Sequence, residues 1–80
     1  MPQFQVGEII LLTYASTLWA VLGYEDEEGE PRVIVARNIG GLHQQNTLFE
    51  KRFQKIKIDG GEKIFDTPEK AIEWLEDYRY

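Results

Sequence analysis

The chain has 80 residues, 42% of them apolar and 12% aromatic, and a formal net charge of −5. That is enough for one domain, too apolar for a disordered chain of such modest charge, and small enough that folding buries only roughly 60 to 65% of the unfolded surface. With no cysteine, one serine (Ser16) and one histidine (His43), disulfide staples and thiolate sites are excluded, and a nucleophile with its own base has almost nothing to be built from.

Residues 4–13 (FQVGEIILLT) are rich in β-formers and predict a first strand, with Gly7 marking a bend or bulge before its buried part. A short connection at 14–16 leads to a second strand over 17–24. Its inward set is either Leu18, Ala20 and Leu22 or Trp19, Val21 and Gly23, and periodicity does not choose between them. The run 25–31 (EDEEGEP) reads as a solvated hairpin tip. A third strand over 32–39 places Val33, Val35 and Arg37 on one face and Ile34 and Ala36 on the other, and Gly40-Gly41 ends it.

Residues 42–46 are polar and read as a loop. From 47 to 55, Thr47 with Glu50 matches a capping box and Phe49, Phe53 and Ile56 recur at helical spacing, which favours a short helix or single turn over a strand. Lys55 to Ile58, the turn 59–62 (DGGE) and residues 63–65 alternate charge with hydrocarbon around a glycine pair, the pattern of a hairpin. The helix signal is clearest over 67–79. Thr67 can cap it, Pro68 suits the first helical position, and Ala71, Ile72, Leu75 and Tyr78 form an apolar stripe with Trp74 at its edge. Glu73, Glu76 and Asp77 then face water. The division expected is a single domain, 1–80, with a sheet over 3–66 and the helix over 67–79.

No base precedes Arg32, so the N-terminus lacks the charged lead of a secretory signal, and the apolar run at residues 9–12 is too short to span a bilayer. The expectation is a cytoplasmic protein away from membranes.

Charge is segregated along the chain. Residues 1–31 carry six acids and no base, residues 32–63 carry seven bases against three acids, and residues 64–80 carry five acids against two bases. The most suggestive constellation lies in the cationic middle, where Phe49, Lys51, Arg52, Lys55 and Lys57 interleave cations with an aromatic, and Arg37 can join them through sheet pairing. Such a stretch is a solvated sheet face, a contact surface for an acidic protein partner, or a groove for single-stranded nucleic acid. The acidic total weakens the nucleic-acid alternative. Tyr14, Trp19 and Tyr24 flank the second strand, where they form a cage for a cation or where Trp19 fills the core.

The remaining motifs are blander. A pair of acids is the only enzyme chemistry that composition leaves open, and most acids sit in the 25–30 turn or on the outer helix face. That turn lacks the spaced ligands of a calcium loop, so no metal is assigned. His43 beside Gln44 and Gln45 reads as an exposed polar residue. No dinucleotide or phosphate-loop motif occurs, and no cofactor is expected.

The opening strand, with Phe4, Gly7, Glu8, Ile10 and Leu12, resembles the first strand of small SH3-like barrels of the Tudor and PWWP kind, and Trp19 to Leu22 is similar to their second. The likeness covers about a quarter of the chain and implies a fold type and a ligand-binding habit. The acidic turn and C-terminal helix depart from the bare barrel.

Together these readings predict an α+β domain, with a strongly bent antiparallel sheet of about five strands closed or nearly closed as an SH3-like barrel and a C-terminal helix over one opening or face. They imply a non-enzymatic interaction module, a small regulator or accessory factor of bacterial or phage style, that engages an acidic protein through Trp19, Arg37, Phe49, Lys51, Arg52, Lys55 and Lys57. A barrel that binds single-stranded nucleic acid is the alternative and a carboxylate-dependent enzyme the third. Exposed sheet edges leave room for a homodimer.

Overall fold

The computed structural model describes residues 2–25 and 28–78. Asp26 and Glu27 of the acidic tip and Arg79 at the expected helix end lie outside them. Five antiparallel strands and one helix make an α+β unit: β1 (Ile9–Leu12), β2 (Thr17–Glu25), β3 (Arg32–Ile39), β4 (Leu42–Phe49), β5 (Phe53–Lys55) and α1 (Pro68–Asp77). The strand order is β4-β3-β2-β1-β5. Among the described residues no ladder joins β4 to β5, so the sheet is open at that seam. No helix among them is long and apolar enough to cross a membrane.

All four residues of β1 are buried, because the strand runs between two cores. Ile10 and Leu12 join Phe4, Trp19, Val21, Val33, Val35 and Phe53 on one face. Ile9 and Leu11 join Leu18, Ala20, Ile58 and Ala71 on the other, under the helix. Both candidate inward sets of β2 are therefore used, one per face, and a register shift between Val21 and Gly23 leaves Leu22 as the extra residue of a bulge that bends the strand.

The expected first strand is shorter than its β-rich sequence. Residues 4–7 are outside the ladder: Phe4 folds over as a core plug, and Gly7 takes a φ of 88° that breaks the extended run. Gly7 is hemmed in by main chain. Its N–H donates to the Val21 carbonyl at 2.9 Å and its carbonyl accepts from Phe65 N at 2.8 Å.

Three further expectations are corrected. Residues 42–46 are strand, because Gly40-Gly41, with φ of 55° and 84°, makes a two-residue hairpin turn that carries the chain straight back along β3. The segment 47–55 keeps the expected single turn, as a 3-10 turn at Glu50–Arg52, but the residues on either side are strand, the end of β4 and β5, so the helical spacing of its aromatics reflects no α-helix. The hairpin at 55–65 is reduced to its turn, with Ile58 and Gly61 exchanging backbone bonds of 2.7 and 3.3 Å. Residues beyond that turn are taken by β1 instead: Ile9 N–H donates to Lys63 O at 2.9 Å, and Glu8 bridges to Ile64. The edge of the first strand is thus served in relay, by β5 opposite residues 10–12 and by residues 63–65 opposite residues 7–9.

The helix starts as its sequence signals require. Thr67 Oγ1 accepts from Lys70 N at 3.3 Å and Pro68 occupies the first turn. Ala71 is fully buried at the closest approach to the sheet, with Ile72, Leu75, Tyr78 and Trp74 around it, and Trp74 stacks on Tyr78 at 4.5 Å between ring centroids.

A side chain at Gly7 meets both a left-handed backbone and the Phe65 carbonyl, which lies 2.2 Å from an added Cβ. Gly7→Ala is therefore expected to cost about 3 kcal/mol or more in urea denaturation, whereas Gly41→Ala, which meets nothing within 4 Å, loses only about 1 kcal/mol to backbone strain.

Candidate functional site

The turn and strand ends around the open seam gather cations onto aromatic rings. The β3–β4 register sets Arg32 opposite Phe49, and the Arg32 guanidinium lies 4.8 Å from the centre of the Phe49 ring. The 3-10 turn then brings Lys51 to the same ring, its ammonium at 5.6 Å, and swings Arg52 over Tyr14 of the β1–β2 connection at 5.6 Å. A backbone bond from Thr13 N to Arg52 O, 3.0 Å, holds that connection against the turn. Tyr14, Arg32, Phe49 and Arg52 line one cleft of about 330 Å³, with Thr47 and Leu48 as its remaining wall. Lys51 is also paired with Glu30 at 3.3 Å, both side chains more than half exposed, an arrangement weak enough to exchange for another carboxylate.

Of the seven residues expected to bind, the structure brings Phe49, Lys51 and Arg52 together. Trp19 and Arg37 form a separate pair: Trp19 is only 3% exposed, its indole donates to Thr17 Oγ1 at 2.9 Å, and the Arg37 guanidinium covers its ring at 4.3 Å. Arg37 also donates through Nε to Gln44 at 2.9 Å, and its partial burial lowers the guanidinium from its usual pKa. Arg37 lies five positions along β3 from Arg32, about 16 Å at strand rise. With Trp19 in the core, Tyr14 67% exposed and Tyr24 engaged elsewhere, no aromatic cage is assembled.

Lys55 has a structural partner. Its ammonium lies 3.0 Å from Glu8, whose side chain is completely buried, and 3.7 Å from Glu62. The other Glu8 oxygen accepts from Gln5 N at 2.9 Å. Lys57 is exposed, beyond the end of β5. Arg32 was not among the expected contacts, and Tyr14 was expected only as a cage aromatic with Trp19 and Tyr24; the register that seats Arg32 on Phe49 emerges only once residues 42–49 are known to be strand.

The N-terminal arm crosses the same end of the molecule. Gln3 N donates to Glu50 Oε2 at 2.9 Å, Phe4 N donates to the Tyr24 hydroxyl at 3.1 Å, and that hydroxyl donates a short hydrogen bond to Glu50 Oε2. Burial, then the bond to Glu50, pushes Tyr24 up to about 12. Among the described residues no group of three or more His, Cys, Asp or Glu side chains is placed to hold a metal ion. Comparison with protein-family models, curated proteins and solved structures finds no match for this chain.

Lys55→Met leaves the Glu8 carboxylate uncompensated and is expected to cost about 3 kcal/mol in chemical denaturation, against less than about 1 kcal/mol for Lys51→Met at its exposed pair. Tyr24 has a folded pKa above the ordinary 10, so the stability it contributes is complete below pH 10 and drains away as pH rises toward 12. Thermal midpoints across that window should fall more for the parent chain than for Tyr24→Phe, and the difference in tyrosinate absorbance between the two should report one late-titrating phenol.

Proposed function

We propose that this domain is a non-enzymatic interaction module that takes an acidic segment of a protein partner on the surface made by Arg32, Phe49, Lys51, Arg52 and Tyr14. One observation carries the reading: guanidinium and ammonium groups are already seated on aromatic faces at the rim of a cleft. Arg and aromatic side chains held in this way lose little freedom on binding and are the residue types that dominate interface energetics. A carboxylate arriving there meets oriented donors without stripping the rings.

The same geometry disfavours the nucleic-acid alternative. Base stacking needs an open ring face, and the Phe49 face has two cations near it. The non-enzymatic part of the proposal is supported by how the nearby carboxylates are occupied: Glu8 with Lys55, Glu50 with Tyr24 and Glu30 with Lys51.

The finer architecture we propose is an SH3-like barrel open at the β4–β5 seam. Its support is the return of β5 to the far side of β1 in an order β4-β3-β2-β1-β5, with the bulged β2 contributing to both cores. The cysteine-free composition supports a cytoplasmic site of action.

Fluorescence anisotropy with a labelled oligo-glutamate peptide and a labelled oligothymidylate tests the reading. The peptide should bind with an affinity that falls with salt, and the double change Lys51→Glu, Arg52→Glu should weaken it by about tenfold or more without moving the thermal midpoint appreciably. Tighter binding of the oligonucleotide, lost in the same variant, would replace the acidic partner with single-stranded nucleic acid.

A further inference from the structure

The other end of β4 carries a second docking feature, centred on His43 and Gln45. β4 is an eight-residue strand that, among the described residues, pairs only with β3. The bond from Glu50 N to Pro31 O sets the parity of the ladder. Alternate residues exchange bonds with β3, and the N–H and C=O groups of His43, Gln45 and Thr47 turn outward. The other edge strand, β5, is three residues long and ends in Lys55. β4 has neither protection: its sequence, LHQQNTLF, holds no Lys, Arg, Asp, Glu or Pro, the residues by which exposed edges are normally kept from pairing.

The side chains at positions 43 and 45 border a groove of about 730 Å³ whose facing wall is α1. Glu69, Glu73 and Glu76 line that wall, spaced so that they share one helix face. Asn38 ties the groove's two sides by donating to Glu76 at 3.3 Å, and its Oδ1 lies 3.1 Å from His43 Nδ1. Among the described residues no Lys or Arg lines the groove, and His43 is its one imidazole.

We infer that the free edge of β4 accepts an extended basic segment of a partner protein as a sixth strand, with alternate Lys or Arg side chains reaching over the groove to Glu69, Glu73 and Glu76. Main-chain bonds to residues 43, 45 and 47 supply the pairing, and the acidic helix supplies the choice of sequence. Charge complementarity also selects against a second copy of this chain. Antiparallel pairing of two β4 strands about a twofold axis puts both α1 helices on one face of the joined sheet, with their glutamate rows turned toward each other.

The test uses the full chain and two labelled decapeptides, one of alternating lysine and threonine, the other of alternating glutamate and threonine. The lysine peptide should bind by anisotropy and the glutamate peptide should not bind at the groove. Gln45→Pro removes an outward N–H without touching the β3 ladder, a substitution an edge strand tolerates, and should weaken the lysine peptide by about tenfold or more. Glu69→Lys with Glu73→Lys, on the exposed helix face, should do the same, so the result does not depend on one variant folding. Lys51→Glu with Arg52→Glu should leave lysine-peptide binding intact, which separates this site from the cationic cleft.

The inference is overturned if the lysine peptide fails to bind, or if the glutamate-helix variants lose affinity while Gln45→Pro does not, since the peptide then lies on the helix and not along the strand. It is equally overturned if sedimentation shows a dimer that Gln45→Pro abolishes, because the edge then belongs to a second copy.

Discussion

The Glu8 carboxylate has no access to solvent, and the surrounding segments are arranged around that constraint. A buried carboxylate is tolerable only when each oxygen has a partner. One oxygen is satisfied by the Gln5 amide and the other by the Lys55 ammonium. The first bond curls the N-terminal arm back on itself and sets Phe4 over the core; the second pins β5 to β1. Lys55 sits opposite Ile10 in that pairing, and a slip of one residue would offer Gln54 to the carboxylate and turn Phe53 out of the core. Gly7 completes the node, since only a residue without a Cβ lets the Phe65 main chain close against it. Arm, first strand, fifth strand and the lead into the helix therefore depend on two adjacent residues.

That node also explains how so short a chain finds enough interior. With the arm and Phe4 on one face of β1 and the helix on the other, four consecutive apolar residues are buried without alternation. A two-sided sheet spends fewer residues on solvent-facing strand positions than a one-sided sheet would, which suits a chain whose surface-to-volume ratio is unfavourable. The cost appears at β4, which lies beyond the reach of either core for most of its length and is polar in consequence.

Legibility in the sequence follows the range of the interactions. The strands over 17–24 and 32–39 and the helix with its Thr67-Pro68 start were readable because local pattern and tertiary burial agree there. Residues 42–46 were not, since an edge strand wet on both faces has no apolar period, and the glycine pair before it reads as a stop as easily as a turn. The 55–65 hairpin misled for the opposite reason: its local pattern is sound, but residues 7–9 compete for the same backbone groups and win. The site divides likewise. Phe49, Lys51 and Arg52 are close in sequence and remain together, whereas Arg32 and Tyr14 arrive from 17 and 38 positions away. Lys55 looked like its cationic neighbours because its partner Glu8 is 47 residues distant.

The charge segregation of the sequence has a spatial counterpart. Arg32, Lys51 and Arg52 collect at the seam between β4 and β5, while Glu69, Glu73 and Glu76 stand over the far end of β4, where it leaves the Gly40-Gly41 turn. Gln45 and His43 lie four and six positions along β4 from Phe49, about 13 and 20 Å at strand rise, roughly two screening lengths of about 8 Å at physiological ionic strength. A partner at one end therefore senses little of the other, and the net charge of −5 describes neither surface. What a charged ligand meets is the local field, positive and aromatic at the seam and negative along the helix. The same β4 strand serves both, presenting Phe49 at one end and the unprotected main chain of His43 and Gln45 at the other.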